Sequence, residues 1–182
     1  AQQTTPSLLL AALTCLEKLI GAMAHELGPY VPRLLGYYRT LITKLTEALD
    51  QHCQPQFRRP LLHMYAMVIQ SVSQLFFAAP SDEPALMDDI FTTIQEALET
   101  PVYERAGLRR YFTLAVARAV RVMKSGIAPF LSTVVPFLVA CTAPDASCES
   151  CLSGDPPVQD DEDDATVCGD AVTLLARLME CC

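Results

Sequence analysis

The 182-residue chain has no tryptophan, only three histidines, and just seven glycines. Aromatic residues make up 7% of the chain while half of it is apolar. Such a core suits helix-on-helix packing better than a sandwich or a barrel. No stretch alternates polar and apolar residues for long enough to read as a strand. Motifs for group-transfer chemistry are missing as well. There is no G-x-S-x-G elbow, no phosphate-cradling P-loop and no G-x-G-x-x-G dinucleotide turn. His25, His52 and His63 stand outside H-E-x-x-H spacing, and none has a second ligand at helical spacing. The chain therefore reads as a non-enzyme with no cofactor, no metal and no small-molecule substrate.

Targeting and membrane signals are equally sparse. Ala1 to Thr5 lacks the basic segment that opens a secretory signal, and no initiator methionine is present. The apolar run from Ile127 to Ala143 carries Pro129 and Pro136 and falls short of the ~20 residues of a membrane span. It reads as a buried helix, with no membrane partner. Basic residues are almost absent from one region. Residues 143–182 hold one Arg and ten acids, whereas residues 1–142 hold 12 Lys or Arg and 11 acids. The net charge of −8 is thus a local property of one segment, and it leaves an anionic partner open to the rest of the surface.

What is present is an echo. "LGPYVPRLLGYYRTLI" begins at Leu27, and "IAPFLSTVVPFLVACT" begins at Ile127. Pro29, Tyr30 and Val31 align with Pro129, Phe130 and Leu131. In each copy a long amphipathic helix ends, a proline–aromatic–aliphatic step follows, and a second helix begins. Self-similarity of this kind marks a repeat architecture.

The helices follow from periodicity and caps. Thr5 and Pro6 open a first helix whose stripe is Leu9, Leu13, Leu16, Ile20 and Met23, with Glu17, Lys18 and Glu26 away from it and Gly28 as terminator. Its partner runs from about Val31 to Asp50 with Leu34, Tyr38, Leu41, Leu45 and Leu49 inward. A second pair starts at Pro60, with Leu61, Tyr65, Val68, Val72 and Leu75 on one face. Its second helix opens at Pro84 after the candidate cap Ser81 and ends near Leu98. A third pair begins near Pro101, turns Leu108, Phe112, Ala115, Ala119 and Val122 inward, closes its first helix at Gly126, and continues from Ala128 to Cys141.

First helices thus begin near residues 6, 57, 101 and 165; the first two steps, ~45–50 residues, are close to the ~40–47 of HEAT-type pairs, and the third is lengthened by an insertion. The expectation is an all-α, right-handed α-α superhelix of HEAT/ARM type with about three and a half helix pairs. Residues 1–141 form three pairs, 142–165 an acidic flexible loop between repeats, and 166–182 the first helix of a further repeat. The chain ends "LLARLMECC" inside the pattern of a helix with no stop signal and begins just before a capped helix, so the whole reads as a piece of a longer solenoid without capping repeats of its own.

Three groups of residues are candidates for function. On the first helix of the third pair Arg110, Arg121 and Lys124 fall opposite the apolar stripe, with Arg105, Arg109 and Arg118 on its flanks. Arg58 and Arg59 precede the equivalent helix of the second pair. A solvated helix face is the plain reading; contact with phosphate or an acidic peptide through Arg forks is the sharper one. The loop carries Asp160, Asp161, Glu162, Asp163 and Asp164, either as a solvated linker or as a regulatory segment that meets a basic surface. Cys148 and Cys151 form a C-x-x-C between Cys141 and Cys168. Four thiolates would suit zinc, but the second half lacks its own C-x-x-C. Scattered cysteines suit a reducing compartment. The acid pairs Asp82–Glu83 and Asp88–Asp89 read as complements to a helix start.

With the paired helices, the "PYVPRLL" and "PFLSTVVPFL" steps and the acidic inter-repeat loop in view, the chain resembles the importin-β, or karyopherin, superfamily of nuclear transport receptors. The stretch "VYERAGLRRYFTLAVARAVRVMKSGIAPFL" and the later "DDATVCGDAVTLLARL" are most similar to the tRNA exportins, over Val102 to Leu178. The resemblance implies a superhelix that shuttles between nucleus and cytoplasm, binds Ran-GTP and cargo, and contacts nucleoporin FG repeats. For a tRNA exportin the cargo is tRNA on a basic inner surface. The eight cysteines and the C-x-x-C loop depart from that family pattern. A HEAT scaffold of another system is the alternative.

Overall fold

A computed structural model describes residues 6–23, 26–51, 55–80, 83–100, 108–142 and 161–181, without the side chains of 6, 7, 55–59, 161–165 and 181. Among these residues every regular element is helical. The α-helices are α1 (Pro6–Ala22), α2 (Val31–Gln51), α3 (Pro55–Ala78), α4 (Pro84–Leu98), α5 (Leu108–Met123), α6 (Leu131–Thr142) and α7 (Asp161–Cys181). Short 3-10 segments, Gly28–Tyr30 and Lys124–Phe130, join α1 to α2 and α5 to α6.

The helices contact one another in two rows. In one, α1 packs on α3, α3 on α5 and α5 on α7; in the other, α2 meets α4 and α4 meets α6. The third helix is the centre, touching α1, α2, α4 and α5. Its sequence explains that position. Tyr65, Val68, Ile69, Val72, Leu75 and Phe76 surround the helix axis, and all are buried. A helix apolar on every side must be covered on every side. Periodicity picks out one stripe of α3, but the core uses two.

The echoed segments take the same local form. Val31 N–H donates to the Gly28 carbonyl and Leu131 N–H to the Ala128 carbonyl, so each 3-10 turn closes at the aligned residue. The proline at 29 and at 129 holds its φ near the helical value, which favours this tight entry into the next helix. Gly28 is buried where the turn meets the end of α3. A β-carbon there would lie 3.4 Å from the Ala78 carbonyl oxygen, so the position needs a small residue because of close approach.

Several boundaries differ from expectation. The third helix begins at Pro55 and carries Pro60 inside it. Pro60 lies past the first four helical positions, whose backbone donors have no intrahelical acceptor, so it forgoes the bond to the carbonyl four residues earlier. The reversal after α5 is made by Lys124, whose φ of 50° lies in the left-handed region, and not by Gly126. The seventh helix starts at Asp161, so Asp161, Glu162, Asp163 and Asp164 belong to its first turn and not to a loop reaching 165. Asp160 and residues 143–159 lie outside the described residues, as do Ser81, Asp82, Arg105 and Pro101.

Two segments, Pro60–Ala78 and Leu108–Thr142, are long and apolar enough to cross a membrane by composition. The first is the central helix, mostly buried by its neighbours. The second is two helices, α5 and α6, broken by the turn at Lys124.

Candidate functional site

The basic residues of α5 divide into two groups. Arg110 and Arg121 are exposed on the side away from buried Phe112, Ala115, Val116 and Ala119, as their spacing predicts, and Lys124 is exposed at the turn that follows α5. Arg121 and Lys124 have no hydrogen-bonded or ion-paired partner among the described residues. Arg109 is half-buried. Arg118 does not join the exposed set. It turns toward α3, where Nη1 donates to the Gln70 carbonyl (3.2 Å) and to Ser73 Oγ. Burial lowers its basicity, and the negative charge of Glu17 works in the opposite direction. Arg118 is thus a clamp between helices, not part of a binding stripe.

Glu17 belongs to the same polar seam, contrary to its expected place on the solvent side of α1. Gln70 Nε2 and Gln74 Nε2 both donate to Glu17 Oε1, the latter at 3.2 Å. One carboxylate, two amides, a serine and a guanidinium therefore join α1, α3 and α5 within an apolar core. Deeper in, Tyr38 of α2 lies beside Ser71 of α3; both are buried, and neither oxygen reaches full hydrogen-bond geometry. Burial pushes the Tyr38 phenol up to about 12, Ser71 pulls it down, and Glu17 adds to the rise.

The row of even-numbered helices has its own polar seam. Arg39 of α2 reaches α4, with Nε donating to Thr93 Oγ1 at 2.9 Å. Its Nη2 donates to the carbonyl of Asp89 and pairs with Asp89 Oδ1 at 3.3 Å. Asp88 and Asp89 therefore lie one turn into α4, not at its start, and Asp89 binds an arginine across the helix interface. Farther along, Gln95 Nε2 donates to Thr133 Oγ1 of α6 at 3.1 Å.

An apolar groove opens between α1 and α2. Leu19, Ile20 and Met23 line one wall and Leu34 and Tyr37 the other, over a volume of about 260 Å3. Arg33 sits on its rim, 5.8 Å from the centre of the Tyr37 ring. Sequence periodicity assigns Met23 to the buried stripe of α1, yet it is exposed here because α1 leans on α3 and away from α2.

Among the described residues no three metal-ligating side chains come together. Cys148 and Cys151 lie outside them. Thr113 Oγ1 donates to the buried Cys141 sulfur (3.9 Å), and Cys168 Sγ donates to the Thr142 carbonyl (3.8 Å). The backbones of Arg58 and Arg59 lie in α3, and their side chains are among those not described. Comparison of the chain with protein-family models, with curated proteins and with solved structures yields no match.

Proposed function

We propose that this chain is a non-catalytic binding segment of a karyopherin-type nuclear transport receptor, a right-handed superhelix of helical pairs whose cargo is tRNA. One observation carries the reading: two rows of successively packed helices, with Arg110, Arg121 and Lys124 exposed along one of them. Extended rows of this kind present large surfaces for macromolecules and no enclosed cavity for a small substrate. In this reading Ran-GTP and nucleoporin FG repeats are further partners, and the protein shuttles between nucleus and cytoplasm.

Phosphate contacts release counterions, so RNA binding must weaken steeply with salt. Replacing Arg110, Arg121 and Lys124 by glutamine should lower the salt slope of tRNA binding by about one for each phosphate no longer neutralised. An unchanged affinity and slope in the triple variant would remove the RNA role. Capture of the full-length protein by GTP-locked Ran tests the transport assignment separately. The groove between α1 and α2 favours a second reading, a helical scaffold that docks protein partners in another system.

A further inference from the structure

Arg39 shows how this fold takes up a guanidinium. Its Nε donates to Thr93 Oγ1 and its Nη2 to the carboxylate and the carbonyl of Asp89, and Thr93 in turn donates to that same carbonyl. Two turns further along the chain the acceptors recur. Seven residues beyond Asp89 and Thr93 stand Glu96 and Thr100, and Thr100 Oγ1 likewise donates to a backbone carbonyl, that of Ala97. Seven residues beyond Arg39, however, stands Thr46, which carries no guanidinium. The result is a second groove, between α2 and α4, of about 250 Å3. Thr43, Thr46 and Glu47 line it from α2, Glu96 and Thr100 from α4, and Arg39 stands at one end.

The groove is electronegative and its acids are unmatched. Glu47 and Glu96 are exposed, and neither has a hydrogen-bonded or ion-paired partner among the described residues, although Lys44 lies one turn before Glu47. The charge of Arg39 is already matched by Asp89. Both helices end nearby, α2 at Gln51 and α4 at Leu98, so their negative dipole ends add to the two carboxylates. Thr46 gives an independent sign. Thr40, Thr43, Thr92 and Thr93 each donate to the carbonyl four residues earlier in the helix. Thr46 Oγ1 does not; it is buried and has no partner among the described residues. A buried hydroxyl left without a bond costs free energy that a ligand in the groove recovers.

We propose that this groove binds the guanidinium of an arginine side chain presented by a protein partner, which donates to Glu96, Glu47 and Thr100 as Arg39 donates to Asp89 and Thr93. The site belongs to the row of α2, α4 and α6, and it does not rest on the RNA reading of α5. NMR titration of the isotope-labelled chain tests it. The probes are the blocked peptide Gly-Gly-Arg-Gly-Gly, its uncharged citrulline analogue, and spermidine. The arginine peptide should shift the amides of Thr46, Glu47, Glu96 and Thr100 saturably, and the citrulline peptide should leave them in place. Glu96→Gln should weaken binding about tenfold, through the loss of one charge-assisted hydrogen bond. Glu96 is exposed, so far-UV circular dichroism should show unchanged helix content in that variant. Thr46→Arg should abolish binding, because the chain then supplies its own guanidinium. The proposal fails if the arginine peptide moves none of these amides, or if the citrulline peptide moves them equally. It also fails if Glu96→Gln binds as tightly as wild type. Tighter binding of spermidine than of the arginine peptide would overturn it in favour of a free polyamine.

Discussion

The first and third helical pairs share a turn and differ in what lies over it. At Pro29 and Pro129 the backbone closes the same 3-10 hydrogen bond onto the same aligned residue. Yet Phe130 packs against Phe91 while Tyr30 faces solvent. The turn is a property of a few consecutive residues. Coverage is a property of the neighbouring helix. Similar local sequence therefore yields similar local structure in both places, while the energetics of each pair are set by residues some forty positions away.

The largest expected effect makes the third pair resemble the first. Phe91→Ala removes a fully buried ring from over Phe130 and should cost about 3–5 kcal/mol in urea or thermal unfolding. Leu19→Ala, at the open site, should change stability by less than about 0.5 kcal/mol in dilute solution. Equal losses at the two sites would show that the groove is covered even in dilute solution.

The next test uses Tyr38, which stands where the third pair has Leu138. A phenol shifted up to about 12 binds its proton more tightly in the folded state than in the unfolded state. Its contribution is complete below pH 10 and is lost as pH rises from 10 through 12. A shift of about two pH units corresponds to about 3 kcal/mol. Tyr38→Phe should remove that part of the alkaline slope while leaving stability at neutral pH nearly unchanged. An identical alkaline profile in wild type and variant would refute the assignment.

Glu17 stands where the third pair has Ala117. Glu17→Ala deprives Gln70 and Gln74 of their shared acceptor and should destabilise by about 1–2 kcal/mol in chemical denaturation. The smallest effect is expected at the turn itself. Lys124 holds a left-handed backbone at a cost of roughly 1 kcal/mol, which glycine does not incur. Lys124→Gly should therefore be neutral or stabilising by up to about 1 kcal/mol in the melting curve, a gain that a turn without strain would not show.

Helices α1 to α6 were legible because apolar residues recur every three to four positions between proline and glycine boundaries, and the echoed turn was legible because its signal is local. The exposed Arg110 and Arg121 followed from the same periodicity. Glu17 and Arg118 did not, since their partners Gln70 and Ser73 lie on a helix distant in sequence. A lone charge beside an apolar stripe looks the same whether it meets water or a buried amide. The centrality of α3 was missed for a related reason. One stripe satisfies the periodic test, and only the presence of four neighbours explains the second. The groove escaped as well, because α1 has the pattern of a helix that should close on α2, and it packs on α3 instead.

The burial of α3 on all sides has a kinetic side. Amide hydrogens exchange with solvent through local openings where contacts are few and through global unfolding where they are many. Deuterium should enter the backbone of α1 and α7 first, since each has a neighbour in its row on one side only. The amides from Val68 to Leu75 should be the last to exchange, at a rate set by the opening of the entire molecule. Fraying at either end of the row then leaves the middle intact.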